Sequence, residues 1–227
     1  MHLPNIIESN IFQNKYNQIK ILGNGPSLKL LDLFKISNDL IIGCNWLFQH
    51  KDFDIIDARC LLCFSDPSFK ILEKEKWIGI LFEKECNILI PSSWEKIIDW
   101  ISKEKDLKKR VFTYNLSGSY KNYQHIDCKG NMFNFPKVHY TSSVMTTVCL
   151  PMVNKLKPKE ISISGVDASY FKNGKFDPYF FNLKKIHQYR HSQVEAEKWS
   201  TNLNQELEFQ IQFLKSNGIS ILKDKFI

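Results

Sequence analysis

Gln18-Ile19-Lys20-Ile21-Leu22 runs directly into Gly23-Asn24-Gly25-Pro26-Ser27, and this join decides the fold. The first five residues read as a short buried strand. The glycines permit a tight turn and close backbone approach, and Pro26 suits the first turn of a helix expected over about residues 26–35. Such a turn offers unpaired N–H groups and a partial positive charge to an anion. It is not a GxGxxG fingerprint, because the third glycine is absent, nor a Walker loop, because no GK[ST] follows. A plain strand-to-helix turn is the competing reading. Asn24 favours phosphate binding, since it adds a polar group where a plain turn needs none.

Similar units follow outward from this join. Residues 40–43 read as a second strand ending in Cys44-Asn45, and Asn45 would reach the same crevice. Residues 59–64, 77–82, 87–90 and 111–114 read as further strands, with a helix capped by Ser92 or Ser93 running to about residue 105. Residues 115–139 have no clear period and many Asn, Lys and aromatic side chains, which reads as a long functional loop or small insertion. Thr141-Ser142-Ser143 opens a helix to about residue 156, kinked at Pro151. Residues 160–164 form a strand ending at Gly165. Ser192-Gln193-Val194-Glu195 fits a capping box before an amphipathic helix with Trp199, Leu203, Leu207, Ile211 and Leu214 on its apolar side. Residues 219–222 supply a last strand.

This alternation implies an α/β fold: one domain over residues 1–227, with a mostly parallel sheet and helices on both faces. Ligands in such sheets bind beyond the carboxyl ends of the strands. That rule selects residues 23–27, 44–45, 65–68 and 165–170.

The chain has 227 residues, 43% of them hydrophobic, and a net charge of +7. That is enough apolar residue for a buried core and argues against disorder. The positive charge favours anionic partners: nucleotides, nucleic acid or an acidic membrane surface. Runs such as Lys103-Glu104-Lys105 read as solvated surface, and no recognised RNA motif is present, so a specific nucleic-acid partner is not expected. Residues 1–20 are polar and no apolar run approaches about 18 residues. The expected location is cytoplasmic, with peripheral association on an anionic inner membrane compatible with the charge. The six cysteines, Cys44, Cys60, Cys63, Cys86, Cys128 and Cys149, include one CxxC (Cys60 and Cys63) but no second pair. Reduced core thiols are the reading, with no metal site.

Five motifs in order now resemble bacterial sialyltransferases of glycosyltransferase family 42, over about residues 18 to 215. They are Gly23-Asn24-Gly25-Pro26-Ser27, Cys44-Asn45, Thr141-Ser142-Ser143, Ser164-Gly165-Val166-Asp167 and Tyr189-Arg190-His191-Ser192. The resemblance implies a Rossmann-like domain with a lid, formed by residues 168–190 or by residues 115–139, and inverting transfer from a CMP-sugar without metal or further cofactor. It implies donor contacts from Asn24, Asn45 and Ser142 or Ser143, within motifs that also contain Gly23, Gly25, Ser27, Gly165 and Asp167. It implies that Tyr170 hydrogen-bonds the leaving phosphate and that His191 is the general base. Three features depart from the family pattern. Asp66 stands where the family has Asn, and an extra carboxylate there suits ribose hydroxyls. The family TSG is TSS, and the arginine before it is replaced by the His139-Tyr140 region. Phe176 or Tyr179 aligns with the second phosphate tyrosine.

His191 also reads as a base on its own chemistry. The field of the following helix N-terminus disfavours an imidazolium, and a neutral imidazole can take a proton from a hydroxyl. A surface histidine beside Arg190 is the bland alternative. His187 need not share a face with His191, and His125 and His139 have no distinguishing context. The expected function is transfer of a sialic acid-like sugar to a hydroxyl of a bacterial surface glycan. The alternatives are a Mg²⁺-dependent pterin or nucleotide diphosphokinase-like enzyme using Asp66 and Asp167, and a non-catalytic nucleotide- or RNA-binding module. A homo-oligomer is compatible with the sequence.

Overall fold

The computed structural model describes residues 3–65, 77–118, 128–167, 171–172, 175–176 and 193–223. In chain order the elements are α1 (Asn10–Gln13), β1 (Gln18–Leu22), β2 (Leu40–Cys44), β3 (Cys60–Cys63), α2 (Trp77–Phe82), β4 (Asn87–Pro91), α3 (Glu95–Ile101), α4 (Lys105–Lys108), β5 (Val111–Ser117), α5 (Cys128–Asn134), β6 (Lys137–His139), α6 (Leu150–Leu156), β7 (Glu160–Ser164), β8 (Phe171–Lys172), β9 (Lys175–Phe176), α7 (Gln193–Ser216) and β10 (Ser220–Lys223). Eight strands form one sheet in the order β10-β7-β1-β2-β3-β4-β5-β6. Every neighbouring pair in it is parallel.

Burial explains the apolar runs. All five residues of β2 and all four of β3 are buried, because a parallel sheet is covered on both faces. Leu22, Ile41, Leu62 and Ile88 pack into one layer with Leu28, Trp46, Trp94 and Ile97. Ile21, Ile42, Leu61 and Leu89 pack into the opposite layer with Met145, Val148, Leu203 and Leu207. Cys60 and Cys63 fall in different layers, since residues three apart on a strand point to opposite faces. Their CxxC spacing therefore brings no two sulfurs together.

Several local expectations change. Residues 77–82 are helix α2, not a strand: the run is a crossover between parallel strands β3 and β4, with Leu81 buried and Ile80 exposed. A short apolar run does not separate these states by period. Residues 26–35 form two short 3₁₀ segments, Pro26–Leu30 and Leu33–Lys35, rather than one helix. Leu31 and Asp32 are extended between them, and the Asp32 carboxylate accepts from the Phe34 N–H at 3.1 Å to start the second. The helix after Ser93 is split into α3 and α4, and no side chain caps α3. Ser92 Oγ instead donates to Asn115 Oδ1 at 3.0 Å. Residues 115–139 include the end of β5, helix α5 and strand β6, so the described part of that segment is not a structureless loop.

The helix after Ser143 begins with a π-helical segment, Met145–Cys149, before α6. Leu150 N–H bonds to the Met145 carbonyl. Pro151 has no N–H to offer Thr146, whose carbonyl instead accepts from Gln210 Nε2 at 2.8 Å. Pro151 thus changes the register of the helix. Helix α7 matches its expected apolar face: Leu203, Leu207, Ile211 and Leu214 are buried, with Trp199 half-buried. Ser192 of its capping box lies outside the described residues. Within residues 168–190, expected as a lid, β8 and β9 pair antiparallel, and the rest lies outside the described residues.

Candidate functional site at the carboxyl edge of the sheet

From β1 the chain moves one way along the sheet to β6, then returns to place β7 on the other side of β1. That reversal opens a crevice at the carboxyl ends of β1 and β7. Two loops meet there. Gly23 N–H donates to the Ser164 carbonyl at 2.9 Å, and Gly25 N–H to the Gly165 carbonyl at 2.7 Å. A Cβ on Gly23 would lie 2.2 Å from Gly165 O, and one on Gly25 would lie 1.8 Å from Asp167 Oδ2. Only glycine permits this approach.

Asp167 completes the join. Its Oδ2 accepts from Ser27 N–H at 3.1 Å and from Ser27 Oγ at 3.0 Å. The protein's own carboxylate therefore meets the N–H that was expected to meet an external phosphate. Gly23, Gly25 and Ser27 have committed amides, and Pro26 has none. These residues, with Gly165 and Asp167, shape the crevice through one another rather than offering open backbone donors.

Two side chains stand apart. Asn24 Oδ1 and Asn45 Oδ1 are buried and have no hydrogen-bond partner among the described residues. The first follows β1, the second follows β2, and these strands are neighbours. Asn45 has φ of 37°, in the left-handed region that Asn tolerates better than most residues. A buried carbonyl oxygen without a partner costs about 1–3 kcal/mol, so two beside one crevice call for a common explanation. Each carboxamide carries both a donor and an acceptor.

The Thr141-Ser142-Ser143 turn is arranged in the opposite way. Ser142 N–H donates to Glu206 Oε2 at 3.1 Å, and Ser142 Oγ bonds the same carboxylate. Thr146 Oγ1 donates to it at 2.8 Å. Thr141 Oγ1 meets Thr146 Oγ1 and Thr147 Oγ1, each at 2.8 Å. Ser143 Oγ accepts from Thr146 N–H at 3.2 Å at the start of the helix. Ser142, expected as a donor ligand, is buried and spends its N–H and hydroxyl on Glu206. Ser143 is half-buried.

Glu206, Thr146 and Gln210 were not singled out from the sequence. A signal was available: Glu206 and Gln210 stand three and seven residues after Leu203, on the apolar stripe of α7. A polar residue on a buried stripe needs a partner. Cys149 of the π segment also touches the site, its Sγ 3.7 Å from Sγ of Cys44, the residue before Asn45. The neighbouring Cys149 thiol and burial both push Cys44 well above its ordinary value, so it stays a protonated packing group. Burial pushes Cys86 up to about 12.

Tyr114 OH donates to the Phe64 carbonyl at 2.8 Å, and Ser65 is buried. Asp66, Tyr170, Tyr179, His187 and His191 lie outside the described residues. His139 gains a context: its Nδ1 lies 2.8 Å from Ser117 Oγ, and Asn131 bonds both its N–H and its carbonyl. It is five strands from β1, away from the crevice. Among the described residues no group of three or more His, Cys, Asp or Glu is placed to hold a metal, and no helix is long and apolar enough to cross a membrane.

No protein-family model matches the chain, and no curated protein matches it. Solved structures do. The sialyltransferase CstII from Campylobacter jejuni, in complex with the substrate analogue CMP-3FNeuAc, is similar at 19% identity and a TM-score of 0.48, covering 91% of this chain and 80% of that one. The monofunctional alpha-2,3-sialyltransferase Cst-I from the same organism aligns at 16% identity and a TM-score of 0.47, covering 92% and 77%. An alpha-2,3-sialyltransferase from that organism in apo form aligns at 18% identity and a TM-score of 0.42, covering 99% and 80%. Identities and TM-scores this low do not carry an activity from one protein to another.

Proposed function

We propose that this chain is a glycosyltransferase that moves a sialic acid-like sugar from a CMP-linked donor to a hydroxyl of a glycan. The observation that carries the reading is the pair of buried carboxamide oxygens, Asn24 Oδ1 and Asn45 Oδ1, without a partner among the described residues, at adjacent strand ends beside the β1/β7 crevice. Carboxamides suit the mixed donor and acceptor edges of a nucleotide. The cytidine assignment rests on the order of the five motifs along the chain. Asp66, Tyr170 and Tyr179 are assigned by the family pattern alone, and His191 by that pattern together with the helix N-terminus that follows it.

In this reading His191 takes the proton of the acceptor hydroxyl as its oxygen bonds to the anomeric carbon. The bond from that carbon to the CMP phosphate breaks on the opposite face, so configuration inverts, and CMP leaves with the electron pair. Hydrogen bonds from Tyr170 and Tyr179 stabilise the charge growing on that phosphate, which makes a metal unnecessary. Asn24 and Asn45 orient the donor. Ser143 lines it, while Ser142 holds the turn through Glu206. The chain acts as one domain, with residues 168–190 as its lid.

A Mg²⁺-dependent diphosphokinase would need Asp66 and Asp167 as paired ligands. The two bonds from Ser27 to Asp167 Oδ2 weigh against that use.

Thermal unfolding with CMP, UMP, GMP and AMP, each in EDTA, tests the proposal. CMP at about 100 times its dissociation constant is expected to stabilise by about 2.7 kcal/mol, and the other three less. An equal response to all four, or a strict need for Mg²⁺, contradicts it. His191→Ala is expected to bind CMP normally and lose about a hundredfold or more in single-turnover transfer. The wild-type rate is expected to fall as pH drops below about 6.5, and that limb to vanish in the variant.

A further inference from the structure

Leu30 and Phe34 are the two most exposed large apolar side chains among the described residues, at 70% and 72%. They lie four residues apart in the segment that leaves the Gly23–Ser27 crevice loop. Leu28, Leu33 and Ile36 of the same segment are buried in the core, so the backbone is anchored while Leu30 and Phe34 point outward. The anchoring is specific. Asp32 accepts from the Phe34 N–H at 3.1 Å, and the Leu31 N–H donates to the Leu28 carbonyl at 3.1 Å.

Three lysines adjoin this segment. Lys29 and Lys35 flank the two apolar residues and are exposed. Lys51 follows His50, which hydrogen-bonds the Leu28 backbone. The side chains of Lys35 and Lys51 are 83% and 84% exposed, whereas their nearby acids, Asp32 and Asp52, are 45% and 28% exposed. Lys35 and Lys51 are ion-paired with these acids, at 3.3 and 3.9 Å, and each lysine is the more exposed partner. Two apolar side chains held outward beside exposed lysines match the two requirements of a surface anchor: apolar groups for the acyl boundary and cations for anionic headgroups.

We propose that residues 28–35 form a docking turn for an anionic lipid surface, with Leu30 and Phe34 inserted among the acyl chains and Lys29, Lys35 and Lys51 at the headgroups. The turn follows the crevice loop directly in the chain. The docking surface stands independently of the identity of the nucleotide donor.

Co-sedimentation of the full chain with phosphatidylcholine vesicles, with and without phosphatidylglycerol, tests this. Wild type is expected to pellet at least tenfold more with phosphatidylglycerol present, and less as salt is raised. Leu30→Ser with Phe34→Ser is expected to lose at least tenfold of that binding, with unchanged melting temperature and unchanged response to CMP. Lys29→Gln with Lys35→Gln is expected to lose the preference for phosphatidylglycerol. Three results overturn the proposal: wild type stays in the supernatant with both vesicles; the Leu30/Phe34 variant pellets like wild type; or that variant splits an oligomer in sedimentation velocity while vesicle binding is unchanged, which gives the surface to a second copy of the chain.

Discussion

The loop after β1 and the turn before the π segment are both short, polar and placed at the carboxyl edge, yet the fold treats them differently. In the Thr141-Ser142-Ser143 turn every hydroxyl has an internal partner, and Glu206 takes three of the bonds. In the loop at residues 23–27 the Gly23, Gly25 and Ser27 amides are spent on Ser164, Gly165 and Asp167, but Asn24 keeps a buried oxygen with no partner among the described residues. A polar turn residue becomes a candidate ligand where the fold leaves one of its atoms unsatisfied, not simply where a motif names it.

The largest effect expected from breaking this contrast is on the stability of the first region. Glu206→Ala leaves the Ser142 N–H, the Ser142 hydroxyl and the Thr146 hydroxyl without their acceptor, and is expected to cost about 3 kcal/mol in urea unfolding. Glu206→Gln keeps an acceptor and is expected to cost less. Equal stability of wild type and Glu206→Ala would mean that the turn is not held by the carboxylate.

Gly25→Ala strikes the other region at its closest contact. The new Cβ must displace Asp167 from Ser27, and overpacking of this kind costs about 2 kcal/mol. Thermal melts of Gly25→Ala and Ser27→Ala together sharpen the point. If the join between the loops carries the cost, the two losses do not add.

Much of this arrangement was legible in the sequence because backbone patterns carry it. The apolar run at residues 18–22, the glycines after it and the spacing of later strands placed the crevice at the end of β1. The stripe on α7 was read from period alone. What was not legible depends on contacts between distant residues. The amides of residues 23–27 looked open because Asp167 lies 140 positions away from Ser27. Ser142 looked available because Glu206 is 64 positions away. The run at residues 77–82 was misread because an apolar stretch of that length fits a buried strand as well as a crossover helix, and only the topology decides.

A smaller effect belongs to His50, on the Leu28 side of the sheet. His50 is buried, and burial holds its imidazole below the ordinary histidine value. As pH falls below about 6.5 the unfolded chain gains a proton that the folded chain resists. Stability from this group is therefore complete above that pH and is lost as pH falls from there toward the lower folded value. His50→Gln is expected to flatten the slope of stability against pH in that window. An unchanged slope would assign the acid sensitivity to other groups.

The most direct test is the CMP affinity of Asn24→Ala, measured by calorimetry alongside its urea stability. Loss of a hydrogen bond to a charged ligand is worth about 1.5–3 kcal/mol, so CMP binding is expected to weaken by about tenfold or more. Stability is expected to stay within about 0.5 kcal/mol of wild type, because the buried oxygen has no partner among the described residues to lose. Unchanged CMP affinity would contradict the assignment of Asn24 as a ligand, and a large loss of stability would make it a structural residue of the turn.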